Sequence, residues 1–141
     1  MSHLTLLEKV FLLKKTALFA ELDLDLLLAI GDKAEERSCH PQEPIFMVEQ
    51  AAHRVYVIIS GEVQIQDENG TSLALLQAQD FFGDEALFNQ QNRAYTATAK
   101  GDVHLLTISR THLMEIMLEC PQVAISLLRA YAATNPFRRR I

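Results

Sequence analysis

The chain has 141 residues, 49% of them apolar and 22% charged, with a net charge of −5, which is enough length for one packed core and too little for two. The acidic balance argues against a general nucleic-acid or anionic-membrane binder, since only local basic patches would offset repulsion by phosphates. Two distant cysteines, Cys39 and Cys120, outside any Cys-x-x-Cys pair, read as free thiols of a reducing compartment. With no unbroken apolar span of about eighteen residues and no basic leader, the expectation is a soluble, cytoplasmic protein or one domain of a larger one.

Leu4, Leu7 and Phe11, followed by Leu6, Val10, Leu13 and Ala17, recur with a period of 3.6 and predict a helix from Leu4 to about Phe19. Lys14 and Lys15 fall late in it, where the helix dipole favours cations. A second helix is expected over Glu21–Glu36, with Leu22, Leu26, Leu27, Ile30 and Ala34 on one face and Asp23 or Asp25 as its cap. From Arg37 the period becomes two. Strands are expected at Pro44–Val48, Arg54–Ile59, Glu62–Gln66, Thr71–Leu76, Arg93–Ala99 and Val103–Ile108, punctuated by Gly61, Asn69-Gly70 and Gly101-Asp102. Asn69-Gly70 is the strongest hairpin signal, since a type I′ turn needs positive φ at both central residues. Helix returns at Arg110–Glu119 with Ser109 as N-cap, is broken by Pro121, and resumes from Gln122 to about Thr134. The order helices, short strands, helices predicts an α+β unit built on an antiparallel β-roll, or jelly-roll barrel, flanked by helices at both ends. The boundaries are 1–36 for the N-terminal helical segment, 37–109 for the roll, 110–135 for the C-terminal helices and 136–141 for the tail.

The chemistry concentrates between Asp80 and Ala99. Gly83 heads the acidic-apolar turn Asp84-Glu85-Ala86-Leu87-Phe88; a glycine there lets backbone N–H groups approach a ligand closely, and N–H groups opening a helical turn favour an anion. Arg93, nine residues after Asp84, can supply a bidentate partner for the same phosphate. Such a site suits a ligand with a phosphate and a hydroxyl-bearing ring.

Phe82, Gly83, Ala86, Leu87 and Arg93 together resemble the phosphate-binding cassette of cyclic nucleotide-binding domains, the family of catabolite activator and protein kinase A regulatory subunits. Ile58-Ile59-Ser60-Gly61-Glu62-Val63 is similar to the family's strand-Gly-strand passage, and Ser109 and Cys120-Pro121 precede what resemble its hinge and lid helices. The resemblance implies a non-catalytic regulatory or sensory domain. It would bind cAMP, or less favourably cGMP, and transmit the ligand state through the C-terminal helices. It assigns backbone contacts to Gly83 and Ala86, the ribose contact to Asp84, the phosphate charge to Arg93, and the small position beside it to Ala94, whose missing hydroxyl leans toward cAMP; Phe82 and Glu85 belong to the same phosphate and ribose site. Leu127, Leu128 and Tyr131 become candidates to cover the base.

The cassette departs from the family at three points. Asp84 stands for a glutamate, one C–C bond or ~1.5 Å shorter in reach. Glu85 stands for an apolar residue, and Tyr95 brings a bulky ring to a small position, although strand alternation offers a way to turn it aside. Family turn glycines read Gln42, Gln79 and either Glu49 or Gln50. The alternative is therefore a degenerate member that no longer binds nucleotide and serves as a protein–protein scaffold. His3, His40, His53, His104 and His112 show no metal-ligand spacing, so neither a metal nor another cofactor is expected. Arg138, Arg139 and Arg140 form the one basic cluster, and direct DNA binding is not expected. A homodimer or a larger effector protein is the expected partner.

Overall fold

A computed structural model of the chain describes residues 3–85 and 91–133, the side chain of Tyr131 excepted. The first helix, α1 (Leu6–Lys15), is shorter than its apolar stripe. Thr5 and Glu8 close it with a capping box. At the other end the buried Thr16 hydroxyl donates to the Leu12 carbonyl at 3.0 Å, and the chain proceeds through tight turns to Leu22. Helix α2 (Leu24–Lys33) starts at Asp23, whose carboxylate accepts from Leu26 N–H.

The strands follow as β1 (Glu35–Cys39), β2 (Pro44–Phe46), β3 (Arg54–Ser60), β4 (Val63–Gln66), β5 (Ser72–Leu76), β6 (Phe81–Phe82), β7 (Thr96–Ala99) and β8 (Val103–Ser109). Helices α3 (Arg110–Glu119), capped by Ser109, and α4 (Pro121–Ala133) complete the described residues. Pro121 opens α4, where a missing N–H costs nothing. The strands form two four-stranded antiparallel sheets, in the orders β1-β8-β3-β6 and β2-β7-β4-β5, rather than a closed barrel.

The first sheet is apolar on both faces. Val55, Val57, Leu106 and Ile108 pack on the helices with Leu13, Leu27, Leu113, Val123 and Leu127. Tyr56, Ile58, Val103 and Leu105 point the other way, into the roll, to meet Phe46, Val63, Phe82, Ala97 and Ala99 of the surrounding strands. Burial on both sides explains why β3 and β8 read as continuous apolar runs instead of alternating ones.

Three local expectations change. Glu35 and Glu36, expected as the charged end of a helix, instead open a strand over 35–39, paired along its length with β8 from Glu35↔Thr107 to Cys39↔Val103. Arg93, Ala94 and Tyr95 precede β7 instead of belonging to it. At the β4–β5 hairpin only Gly70 has positive φ, 82°. There Asp67 C=O accepts from Gly70 N–H, while the Asp67 carboxylate accepts from Asn69 and Thr71 N–H. The aspartate side chain thus organises a longer turn than type I′.

Candidate functional site

Strand β3 and the two-residue β6 deliver the site. Tyr56↔Phe82 pairing brings Gly83 to the mouth of the roll with φ 76°. A Cβ at Gly83 would stand 3.0 Å from Arg93 Nη1 and 3.1 Å from both the Arg54 carbonyl and the Tyr56 ring, so only glycine fits this conformation and this space. The chain returns through Arg93, whose backbone is fixed on both sides: its N–H donates to Gln50 C=O and its C=O accepts from Glu49 N–H, both at 2.7 Å. Glu49 holds φ 75°, which identifies it as the residue in the family's glycine position; Gln42 and Gln79 do the same at 69° and 76°.

The Arg93 side chain is 5% exposed and turned inward. Nη1 donates to Gly83 C=O at 3.0 Å and Nη2 to Arg54 C=O at 2.8 Å. The guanidinium carbon lies 4.0 Å from the Phe46 ring centroid, a close cation–π contact. Its Nε is buried without a hydrogen-bond partner among the described residues. Nor does Arg93 form an ion pair with Asp84 or Glu85; backbone carbonyls and an aromatic face hold the charge instead.

Alternation does not turn Tyr95 aside. Its ring packs into the roll 5.3 Å from Phe46, which also meets Tyr56 and Phe82 at 5.7 and 5.9 Å. The Tyr95 hydroxyl accepts from Gly83 N–H at 2.9 Å and donates to Glu85 Oε2 at 3.0 Å. Burial above all, with Glu85 second, holds that phenol well above its ordinary range. Ala94, one residue earlier, is exposed.

Asp84 is 8% exposed, and burial, reinforced by the neighbouring Glu85, pushes its carboxyl up to about 7. The nearby Arg93 charge opposes this without reversing it. Near neutral pH the group is therefore poised between acid and carboxylate. The cavity between Ala52, Glu85, Asn92, Arg93 and Tyr95 is about 80 Å³, small beside the roughly 300–1,000 Å³ of ordinary small-molecule sites, while a shallow hollow of about 500 Å³ adjoins it at Glu49, Asn92, Arg93 and Ala94.

Phe82, Gly83, Asp84, Glu85, Arg93 and Tyr95 thus converge, while Ala86 lies outside the described residues. Of the helical candidates, Leu127 is fully buried in the helix-side core, Leu128 is 56% exposed, and the Tyr131 side chain is not described. Phe46, Tyr56 and the Arg54 carbonyl complete the arginine's cradle without having been singled out in the sequence. No group of three or more His, Cys, Asp or Glu among the described residues is placed to hold a metal ion, and no helix there is long and apolar enough to cross a membrane.

A family model described as "Cyclic nucleotide-binding domain" matches residues 36–120. The chain is 31% identical over 107 residues to the potassium channel AKT2/3 of Arabidopsis thaliana, a match covering 74% of this chain and 13% of that protein. It is 28% identical over 92 residues to a CRP-like cAMP-activated global transcriptional regulator of Mycobacterium tuberculosis, covering 62% of this chain and 41% of the relative. The chain thus spans less than half the length of these relatives. The N-terminal domain of a transcriptional regulator from Streptomyces coelicolor A3(2) superposes with a TM-score of 0.77 at 28% identity, over 86% of this chain and 90% of that one. Fold and sequence agree, and the chain belongs to the cyclic nucleotide-binding domain family.

Proposed function

We propose that the chain is a non-catalytic regulatory domain that takes a cyclic nucleotide at Gly83 and Arg93, in competition with its own Tyr95. The observation that carries this reading is the Tyr95 hydroxyl on Gly83 N–H, 2.9 Å away, where a ligand oxygen would otherwise be received. Beside it, Arg93 keeps a buried Nε–H that has no partner among the described residues. A phosphate that displaced Tyr95 would gain both donors, one of them charge-assisted. Asp84, neutral for part of the time near pH 7, can donate to or accept from a ribose hydroxyl. The missing hydroxyl at Ala94 favours cAMP over cGMP, and a relative described as cAMP-activated supports the same ligand class.

Transmission to the C-terminal helices has a short path. Arg93 bonds the Arg54 carbonyl, and the adjacent His53 carbonyl accepts the N–H of Arg110, the first residue of α3, at 2.8 Å. A shift of Arg93 therefore reaches α3 through a single residue, Arg54. Closure of α4 over a base requires it to leave a packing in which Leu127 is fully buried. A ligand drives that change only by its differential affinity for the two arrangements.

The second reading is a self-filled scaffold that takes no nucleotide. The small cavity beside Tyr95 favours it. Calorimetric titration with cAMP and cGMP separates the two, using wild type, Tyr95→Ala and Arg93→Lys. The proposal expects Tyr95→Ala to bind cAMP more tightly than wild type, and Arg93→Lys to bind more weakly. No heat with millimolar cAMP in either wild type or Tyr95→Ala would leave the scaffold. A ligand at a hundred times its Kd adds about 2.7 kcal/mol to folding stability, so thermal shift gives an independent check.

A further inference from the structure

We infer that the free edge of β5 is a self-association surface, where a second copy of this chain adds its own β5 antiparallel and joins the two β2-β7-β4-β5 sheets into one. Among the described residues, strand β5 pairs only with β4. A strand with one neighbour turns alternate N–H and C=O groups outward, and those groups fix the occupant as another extended strand. Among the described residues no turn or loop backbone bonds to residues 72–76 on that side.

The side chains there are apolar and uncovered. Leu73 is 60% exposed and Leu75 is 42% exposed, on a strand that reads Ser-Leu-Ala-Leu-Leu. Edge strands are usually guarded by lysine, proline or an inward charge, and none lies between Glu68 and Asp80. The one guard is a bulge, where Ile65↔Ala74 and Gln66↔Ser72 leave Leu73 extra.

Two further observations select a second copy rather than an unrelated peptide. A two-fold axis at Ala74 sets Leu73 of one copy across from Leu75 of the other, so in a second copy each exposed leucine meets an exposed leucine. The chain as a whole carries −5, so like copies repel most weakly where they are uncharged, and this edge strand is such a place. Cross-strand apolar pairs of this kind stabilise antiparallel strands.

The inference is independent of nucleotide binding. Sedimentation equilibrium of the chain up to about 100 μM, in the range expected of a small interface, should show a reversible dimer. Leu75→Lys sets a charge against Leu73 of the other copy at both ends of the contact and should weaken it by about tenfold or more, with the circular dichroism of the monomer unchanged because the position is exposed. Ala74→Cys, in a Cys120→Ser background, should give an interchain disulfide on mild oxidation, since directly opposed antiparallel residues lie about 4.5–5.5 Å apart at Cα. A strictly monomeric wild type would overturn the inference. So would a dimer that survives Leu75→Lys while Ala74→Cys fails to cross-link, which would move the contact to the terminal helices.

Discussion

The hydroxyl of Tyr95 and the backbone nitrogen of Gly83 are 2.9 Å apart, and this bond seats the tyrosine ring against Phe46, with which Arg93 also stacks. The cassette's own backbone donor is thereby satisfied from within the chain, and the hydroxyl passes a second bond to Glu85.

Tyr95→Phe keeps the ring and removes both bonds. Gly83 N–H and the Glu85 carboxylate would lose their shared partner in a partly buried place, so stability should fall by about 1–2 kcal/mol. Urea unfolding with an unchanged m-value would register it. An unchanged midpoint would mean that the hydroxyl contributes nothing to the closed cassette.

Gly83→Ala should be more damaging. The left-handed backbone and the 3.0–3.1 Å approaches to Arg93, Arg54 and Tyr56 act together, for a loss of about 1–3 kcal/mol from the strained conformation alone. Thermal unfolding would show it without any ligand.

Arg93→Ala should lower stability before any question of binding arises. It strips hydrogen bonds from the Gly83 and Arg54 carbonyls and a stacking partner from Phe46, each lost bond costing about 1–3 kcal/mol when its acceptor stays buried. Loss of nucleotide binding by this variant is therefore interpretable only beside its unfolding curve, which is why Arg93→Lys is the better probe of the site.

Stability should depend on pH through Asp84. Its folded value near 7 lies above its ordinary 3.8. Below about pH 4 both folded and unfolded states hold the proton, and the contribution is fully present. As pH rises, the unfolded state releases its proton first, so stability falls until the folded group has also ionised, just above about pH 7. The limit of this loss is about 4 kcal/mol, at 1.36 kcal/mol per unit. Asp84→Asn should flatten the decline between about pH 4 and 7 relative to wild type. Parallel curves for the two proteins in a urea series would remove Asp84 from the account.

Gln42 and Gln79 hold left-handed backbone at φ 69° and 76°, and each N–H is nonetheless used, by Ala99 and Ile58 carbonyls at 2.8 Å. Gly at either site relieves about 1–2 kcal/mol of strain and gives back about 0.4–1 kcal/mol through the freer unfolded chain. A small rise in Tm is expected from each substitution, and a fall would mean that the side chains hold more than the backbone loses.

The sequence by itself determined what depends on neighbours along the chain. Helical stripes, the cap at Ser109, the choice of Asp23 or Asp25 as the second helix's cap, the break at Pro121, the short apolar runs and the Phe82-Gly83 to Arg93 spacing are set by local sterics and periodicity, and each was legible as such. Tertiary structure alone decided what depends on partners far away in sequence. Glu35 and Glu36 look like a charged helix end, yet they form a strand because β8 offers a ladder; there the Glu36 carboxylate lies 2.9 Å from His104 Nε2 and accepts from Leu4 N–H. Phe81-Phe82 is a strand only because β3 lies beside it. The side of the roll that Tyr95 faces, and the carbonyls that Arg93 chooses over carboxylates, follow from the space between Phe46, Tyr56 and Gly83. A residue's type and spacing specify what it can bond; which bond it makes is fixed by what the fold brings within about 3 Å.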